Sequence, residues 1–398
     1  MVSDIPFTNN DPDDYRDQAG KRWTMISRSL LIIVCLVSAI IICGCVQQPE
    51  DSQVVKSTSE EEKIVFTDSQ GNLIKLDHPV NRILPLSSQA TELLITIGAN
   101  DTIVGIPDSV MNRKDIMEKI PGVPSIGTGS SPDIEKIISL KPDVIVTYQS
   151  YKPTNFDKII GSNVTVVILD CYKLENVSRD AAILGEISGK KEGAARYIRF
   201  NEKYATMVDS RLRNLSPAEI PRVYGEYSDY TAIVRASAGG QALAALHAEN
   251  VFGDNSVPEW PIVSPEWILE MDPDIIIRSG EKSSSEVSLT ETYSHLISRQ
   301  GYENLKSVRH NRVYVYDKDL VSGPRTVIGL VYLAKAFYPD RFADIDPDSV
   351  RREYVQAFGF GDETQDWLYP PFSIQVSSLE RRDAITNESA TETVSGIP

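Results

Sequence analysis

Hydrophobic positions in this chain come in two spacings. Short unbroken apolar runs, such as VIVTY at 144–148, VTVVILD at 164–170, DIIIRS at 274–279 and RVYVYDK at 312–318, read as buried strands. Between them lie stretches with helical spacing, including ATELLITIGA at 90–99, QALAALHAEN at 241–250 and TVIGLVYLAKAFYP at 326–339. IVFTDSQGNLIKL at 64–76 reads as two short strands hairpinned around Ser69-Gln70-Gly71. Strands alternating with helices predict parallel α/β lobes.

One phrase occurs twice. EKIISLKPDVIV at 135–146 and EWILEMDPDIII at 266–277 agree at Glu135/Glu266, Ile137/Ile268, Pro142/Pro273, Asp143/Asp274 and Ile145/Ile276. Each copy predicts a short helix stopped by proline, then a buried strand. One such unit in each half predicts two similar lobes. A second register is open at the front of the phrase: Ser131-Pro132-Asp133 against Ser264-Pro265-Glu266 pairs Asp133 rather than Glu135 with Glu266.

Between the halves, 179–214 keeps helical spacing, with Gly185, Gly189 and Gly193 weakening its first third and a break expected near 188–190. The expected organisation is an extension at 1–24, a lipoprotein signal at 25–45, a tether at 46–61, an N-terminal lobe at 62–178, a connecting helix at 179–215, a C-terminal lobe at 216–376 and a polar, unstructured tail at 377–398. The fold class is α/β: two lobes with central parallel sheets, joined by one long helix, with a ligand cleft between them.

The N-terminal segment sets the compartment. Lys21, Arg22 and Arg28 flank the start of an apolar run ending at Ile42-Cys43-Gly44-Cys45, which resembles a lipobox with Cys45 as the lipid attachment site. A single membrane-spanning anchor is the alternative, since the run is nearly long enough to cross a bilayer. Either puts the body outside the cytoplasm. Met25 is well placed as the true start. Cys35, Cys43 and Cys45 lie in this segment, leaving Cys171 as a lone thiol expected in apolar surroundings.

The net charge of -16 argues against nucleic acid as a partner. GTGSSP at 127–132 lacks the third glycine of a dinucleotide fingerprint and reads as a turn. His78, His247, His295 and His310 form no metal-ligand spacing, so no metal site, resident cofactor or catalytic residue is expected. Ligands of α/β lobes bind beyond the carboxyl ends of strands. Tyr148, Tyr151, Tyr230, Trp260 and Arg325 are the candidates there, suited to a bulky, partly apolar ligand with anionic groups. Surface-edge placement is the alternative for each tyrosine.

PVNRILPLSSQATELLITIGANDTIVG, IEKIISLKPDVIV, ENVFGDNSVPEWPIVSPEWILEMDPDIII and SGPRTVIGLVYLAKAFYPDRF resemble the iron-chelate and cobalamin substrate-binding proteins of ABC importers, over about residues 62–345. The resemblance implies a monomeric, membrane-held receptor that captures a siderophore, haem or cobalamin and delivers it to a permease dimer with its ATPase subunits. It implies Glu135 and Glu266 as permease-docking carboxylates, and cleft positions for Trp260, Tyr230 and Arg325. A surface enzyme, or a sensory or adhesion lipoprotein that kept the fold without transport, is the rival reading.

Overall fold

The computed structural model describes residues 63–148, 153–154, 156–160, 164–253, 260–280, 288–359 and 367–372. All of them belong to the compact unit Glu60–Pro398. The segments expected at 1–24, 25–45 (with Cys45), 46–61 and 377–398 lie outside the described residues, as does Tyr151.

The N-terminal lobe opens with the hairpin β1 (Ile64–Thr67) and β2 (Leu73–Leu76), antiparallel in the register Ile64↔Leu76. There follow β3 (Ile83–Pro85), α1 (Ser88–Thr96), α2 (Asp108–Met111), α3 (Lys114–Met117), β4 (Gly127–Thr128), β5 (Ser131–Pro132), α4 (Ile134–Leu140), β6 (Val144–Thr147), α5 (Phe156–Ile160) and β7 (Thr165–Ile168). Strands β3, β6 and β7 form a parallel sheet in that order. Every residue of β6 is buried, as its unbroken apolar run requires.

The connector is two helices, α6 (Val177–Ser188) and α7 (Lys191–Leu212). The break falls at Gly189, whose φ of 69° ends α6 in the left-handed region. The 22 residues of α7 make a rod of about 33 Å. Gly193 serves contact, not flexibility: a Cβ there would sit 1.9 Å from the Ile97 carbonyl oxygen at the end of α1.

The C-terminal lobe comprises β8 (Arg222–Ser228), β9 (Thr231–Ala232), α8 (Ala238–Ala245), β10 (Glu249–Asn250), α9 (Pro265–Met271), β11 (Ile275–Gly280), α10 (Leu289–Ile297), α11 (Lys306–Arg309), β12 (Val313–Asp317), α12 (Thr326–Phe337), α13 (Pro347–Phe358) and β13 (Leu368–Tyr369). Its sheet runs β10-β8-β11-β12-β13, parallel except for β13, with β9 paired antiparallel to β8.

The repeated phrase is one construction built twice. Helices α4 and α9 each span seven residues. Asp133 and Ser264 cap them, accepting from the amides of Lys136 and Trp267. Both end in a left-handed residue, Lys141 at φ 46° and Asp272 at φ 39°. The aspartate of each Pro-Asp pair then accepts from the backbone N–H of the arginine that leads the neighbouring parallel strand, Asp143 from Arg82 before β3 and Asp274 from Arg222 of β8. Each arginine reaches back to cap the helix: Arg82 donates to the Leu140 carbonyl, and Arg222 to that of Met271. The structure therefore aligns Asp133 with Ser264, and Glu135 with Glu266.

One hydrophobic core runs through both lobes. It includes Leu93 and Leu94 of α1, Tyr197 and Phe200 of α7, Ile328 and Val331 of α12, and Tyr354 of α13. Helix α13 was not anticipated from the sequence. Asp346 caps it, Pro347 opens it, and Tyr354 and Phe358 set their rings 5.6 and 5.7 Å from Phe200. The long helix thus joins the lobes as part of a packed layer.

Candidate ligand cleft

A cavity of about 440 Å³ opens between the lobes. The N-terminal lobe contributes Gln89, at the start of α1, and Tyr172, just past β7. The C-terminal lobe contributes the rest, including Tyr227, Trp260, Tyr316, Lys318 and Asp319. These residues follow or end parallel strands, where α/β folds place ligands.

An aromatic ledge forms one wall. Trp260 is 47% exposed and stacks on Tyr227 at 4.6 Å and 27°. Two arginines hold the ledge from behind. Arg278 donates to the Tyr227 carbonyl and pairs with the fully buried Glu226 at 3.0 Å. Arg299 donates twice to Glu226, at 2.8 Å each, and once to Asp229 at 2.7 Å. Partial burial pushes the Asp229 carboxyl up, but Arg299 and Arg278 outweigh it and hold the group below the usual aspartate range.

The segment Lys318–Arg325 forms the floor and crosses to the other lobe. Gln89 Nε2 donates to Ser322 Oγ at 3.3 Å, and the Gly323 amide to the Tyr172 carbonyl at 3.4 Å. Gly323 has φ +87°, and a Cβ there would lie 3.3 Å from Gln89 Cγ, so a glycine suits this crossing. Tyr197 of α7 donates to the Pro324 carbonyl at 3.1 Å. Beneath the floor Arg113 meets Asp319 at 2.7 Å, Asp115 at 3.0 Å and Glu92 at 3.4 Å. Arg325 meets Glu92 through Nε and Asp115 at 2.9 Å. Burial pushes the Glu92 carboxyl up by more than the two arginines pull it down. Asp115, also pushed up by burial, is held below its usual range by Arg113 and Arg325.

The structure brings together only part of what the sequence suggested. Trp260 lines the cavity. Tyr148 does not line it, but its ring lies edge-on to Tyr172 at 5.8 Å, beside the cavity wall. Tyr230 is not on the cavity: it takes the left-handed turn of the β8–β9 hairpin at φ 60°, its ring 4.3 Å from the Arg299 guanidinium. Arg325 is not on it either. It is 3% exposed, and its charge is spent on carboxylates of the other lobe. Tyr172, Tyr227, Tyr316, Lys318 and Asp319 were missed. Applying the strand-end rule to every parallel strand would have found most of them. Glu135 and Glu266 are both exposed, at the second position of their helices, with no ion-pair partner among the described residues. Cys171 is buried, and burial pushes its thiol well up, so it is an unreactive core group.

A family model described as periplasmic binding protein matches residues 83–320. The chain belongs to that family. Its relatives are substrate-binding proteins of ABC transporters of the iron-chelate and cobalamin type, and it shares their TroA-like fold. The uncharacterized ABC transporter substrate-binding lipoprotein YvrC of Bacillus subtilis is 24% identical, over 80% of this chain and 100% of the relative. The molybdate-binding protein MolA of Haemophilus influenzae is 22% identical over 74% of this chain and 90% of its own. The molybdate-bound structure of MolA superposes with a TM-score of 0.63, at 21% identity, over 74% of this chain and 97% of that one. A vitamin B12-binding protein of Yersinia pestis is 23% identical over 51% of this chain and 70% of its own. The protein is accordingly a substrate-binding component of an ABC importer, working outside the cytoplasm.

Proposed function

We propose that this receptor captures an iron chelate or a corrinoid in the cleft and hands it to its permease. The observation that carries this is the stacked Tyr227–Trp260 ledge at a cavity of about 440 Å³. A flat or ringed ligand gains most from such a surface, because aromatic stacking adds about 0.5–1.5 kcal/mol to the burial of apolar area. A siderophore, haem or cobalamin fits that description. The fold performs the work by binding alone, with no resident cofactor.

Delivery uses Glu135 and Glu266. Two exposed carboxylates at the same position of equivalent helices form a roughly two-fold pair, suited to cationic pockets on a permease dimer. The receptor acts as a monomer, held to the outer face of the membrane by a lipid on Cys45. Supporting this, the YvrC relative is named a lipoprotein.

Titration with ferric siderophores, haem and cobalamins tests the capture step. Tryptophan fluorescence should quench with one of them, and Trp260→Phe should remove most of the change. Silence across the panel would end this reading. Glu135→Ala with Glu266→Ala should abolish uptake and leave ligand binding intact; full uptake would remove the docking assignment.

A further inference from the structure

We propose that Asp319 is the charge-selecting residue of the cleft, and that the ligand is a neutral or cationic molecule presenting N–H or O–H donors. This inference rests on the chelate-receptor reading above and narrows it.

Asp319 lines the cavity floor with its side chain 15% exposed. Arg113, almost wholly buried, grips Oδ2 at 2.7 Å. The other oxygen, Oδ1, has no hydrogen-bond partner among the described residues. A carboxylate fixed in this way is an acceptor with one side already engaged. It costs little further ordering when a ligand amide or hydroxyl donates to it.

The surroundings do not cancel this charge toward an anion. Among the described residues the only other charged side chain on the cavity is Lys318, and no guanidinium reaches it. Behind the floor stand three carboxylates, Glu92, Asp115 and Asp319, against two guanidiniums, Arg113 and Arg325. Lys318 and the start of α8 are the described lining features that favour negative charge, and Ser237 Oγ already accepts the Gly240 amide at that helix start. A bound anion would therefore meet a fixed like charge, offset among the described lining side chains by the Lys318 ammonium alone and by no guanidinium fork. An oxyanion such as molybdate, which the MolA relative is named for, lacks the donors this floor asks for.

Matched ligand pairs differing in charge provide the test. Cyanocobalamin is compared with its monocarboxylic acid, and N-acetyl with N-succinyl ferrioxamine B, with haem and molybdate as further anions. Calorimetry on the full chain should show the neutral member of a pair binding at least tenfold tighter, which is about 1.4 kcal/mol. Asp319→Asn should bring that ratio to within about threefold, and Asp319→Glu should preserve it. A structural role alone would weaken both members equally. If a pair binds with equal affinity, or if Asp319→Asn leaves the ratio unchanged, charge selection is overturned while the receptor reading stands. If none of these probes binds the unmodified protein, the receptor reading falls and takes this one with it.

Discussion

Arg325→Met is the most informative single change, because it separates a cleft arginine from a lobe-joining one. The substitution keeps an unbranched, bulky side chain and deletes the guanidinium. Glu92, 3% exposed, then loses its Nε partner and keeps only Arg113 at 3.4 Å. Asp115 loses its contact at 2.9 Å, and the Trp367 ring loses a cation 5.5 Å from its centre. Removing one partner of a buried ion pair costs about 3–5 kcal/mol. Because Arg113 remains and Glu92 can take up a proton, the low end applies, about 3 kcal/mol. For a unit as long as Glu60–Pro398 that corresponds to a fall in Tm of roughly 4 °C. The pH dependence has a definite sign. A carboxyl whose pKa is higher folded than unfolded weighs against the fold once pH rises past the folded value. Glu92 is such a group, and losing Arg325 raises it further. The penalty should therefore be larger at pH 8 than at pH 5, and Glu92→Gln in the same chain should recover most of it. Urea melts at the two pH values measure this. A loss under about 1 kcal/mol, or ligand binding abolished at unchanged stability, would put Arg325 back in the cleft and refute the reasoning.

Three further outcomes follow from the packing and the charge pairs. Gly193→Ala drives a methyl into the Ile97 carbonyl, so α7 must move off α1 at a cost of about 1–3 kcal/mol or more in urea unfolding. Asp274→Ala, at a half-buried clamp, should cost about 1–2 kcal/mol and exceed the loss from Asp143→Ala at the exposed one; equal losses would argue against burial as the difference. Hydrogen bonds to Arg341 and Arg211 hold Glu219 and Asp344 down to about 2, so these surface pairs support the fold above the ordinary carboxylate range and lose that support as pH falls through about 2. Carboxyl carbon NMR midpoints near 4 would contradict the pairing.

What could be read from the sequence depended on whether a signal was local. The repeated phrase was readable because cap, proline and apolar strand lie within twelve residues of one another. The arginines completing its clamp, Arg82 and Arg222, sit 61 and 52 residues from Asp143 and Asp274 and left no local trace. The break at Gly189 was visible because helix termination is a short-range property. Arg325 looked like a ligand group because it opens a helix beyond a strand. Its carboxylate partners, buried Glu92 and half-buried Asp115 at 233 and 210 residues' separation, decide otherwise. Tyr230 misled for the same reason, its ring being claimed by Arg299. Helix α13 carries its own start signal, Asp346-Pro347, but no clean apolar stripe: Arg351 is among its buried residues.

The core shared by α1, α7, α12 and α13 bears on the two glutamates at either side of it. A hinge would let the separation between Glu135 and Glu266 wander, and any partner reading both would have to tolerate a range. Here each carboxylate stands on a clamped helix that packs through Ile137 or Ile268 on one side of a sheet, while Val144, Val146, Ile275 and Ile277 of the same sheets enter the shared core. The molecule is in that sense a gauge block: it holds the two carboxylates at a single span.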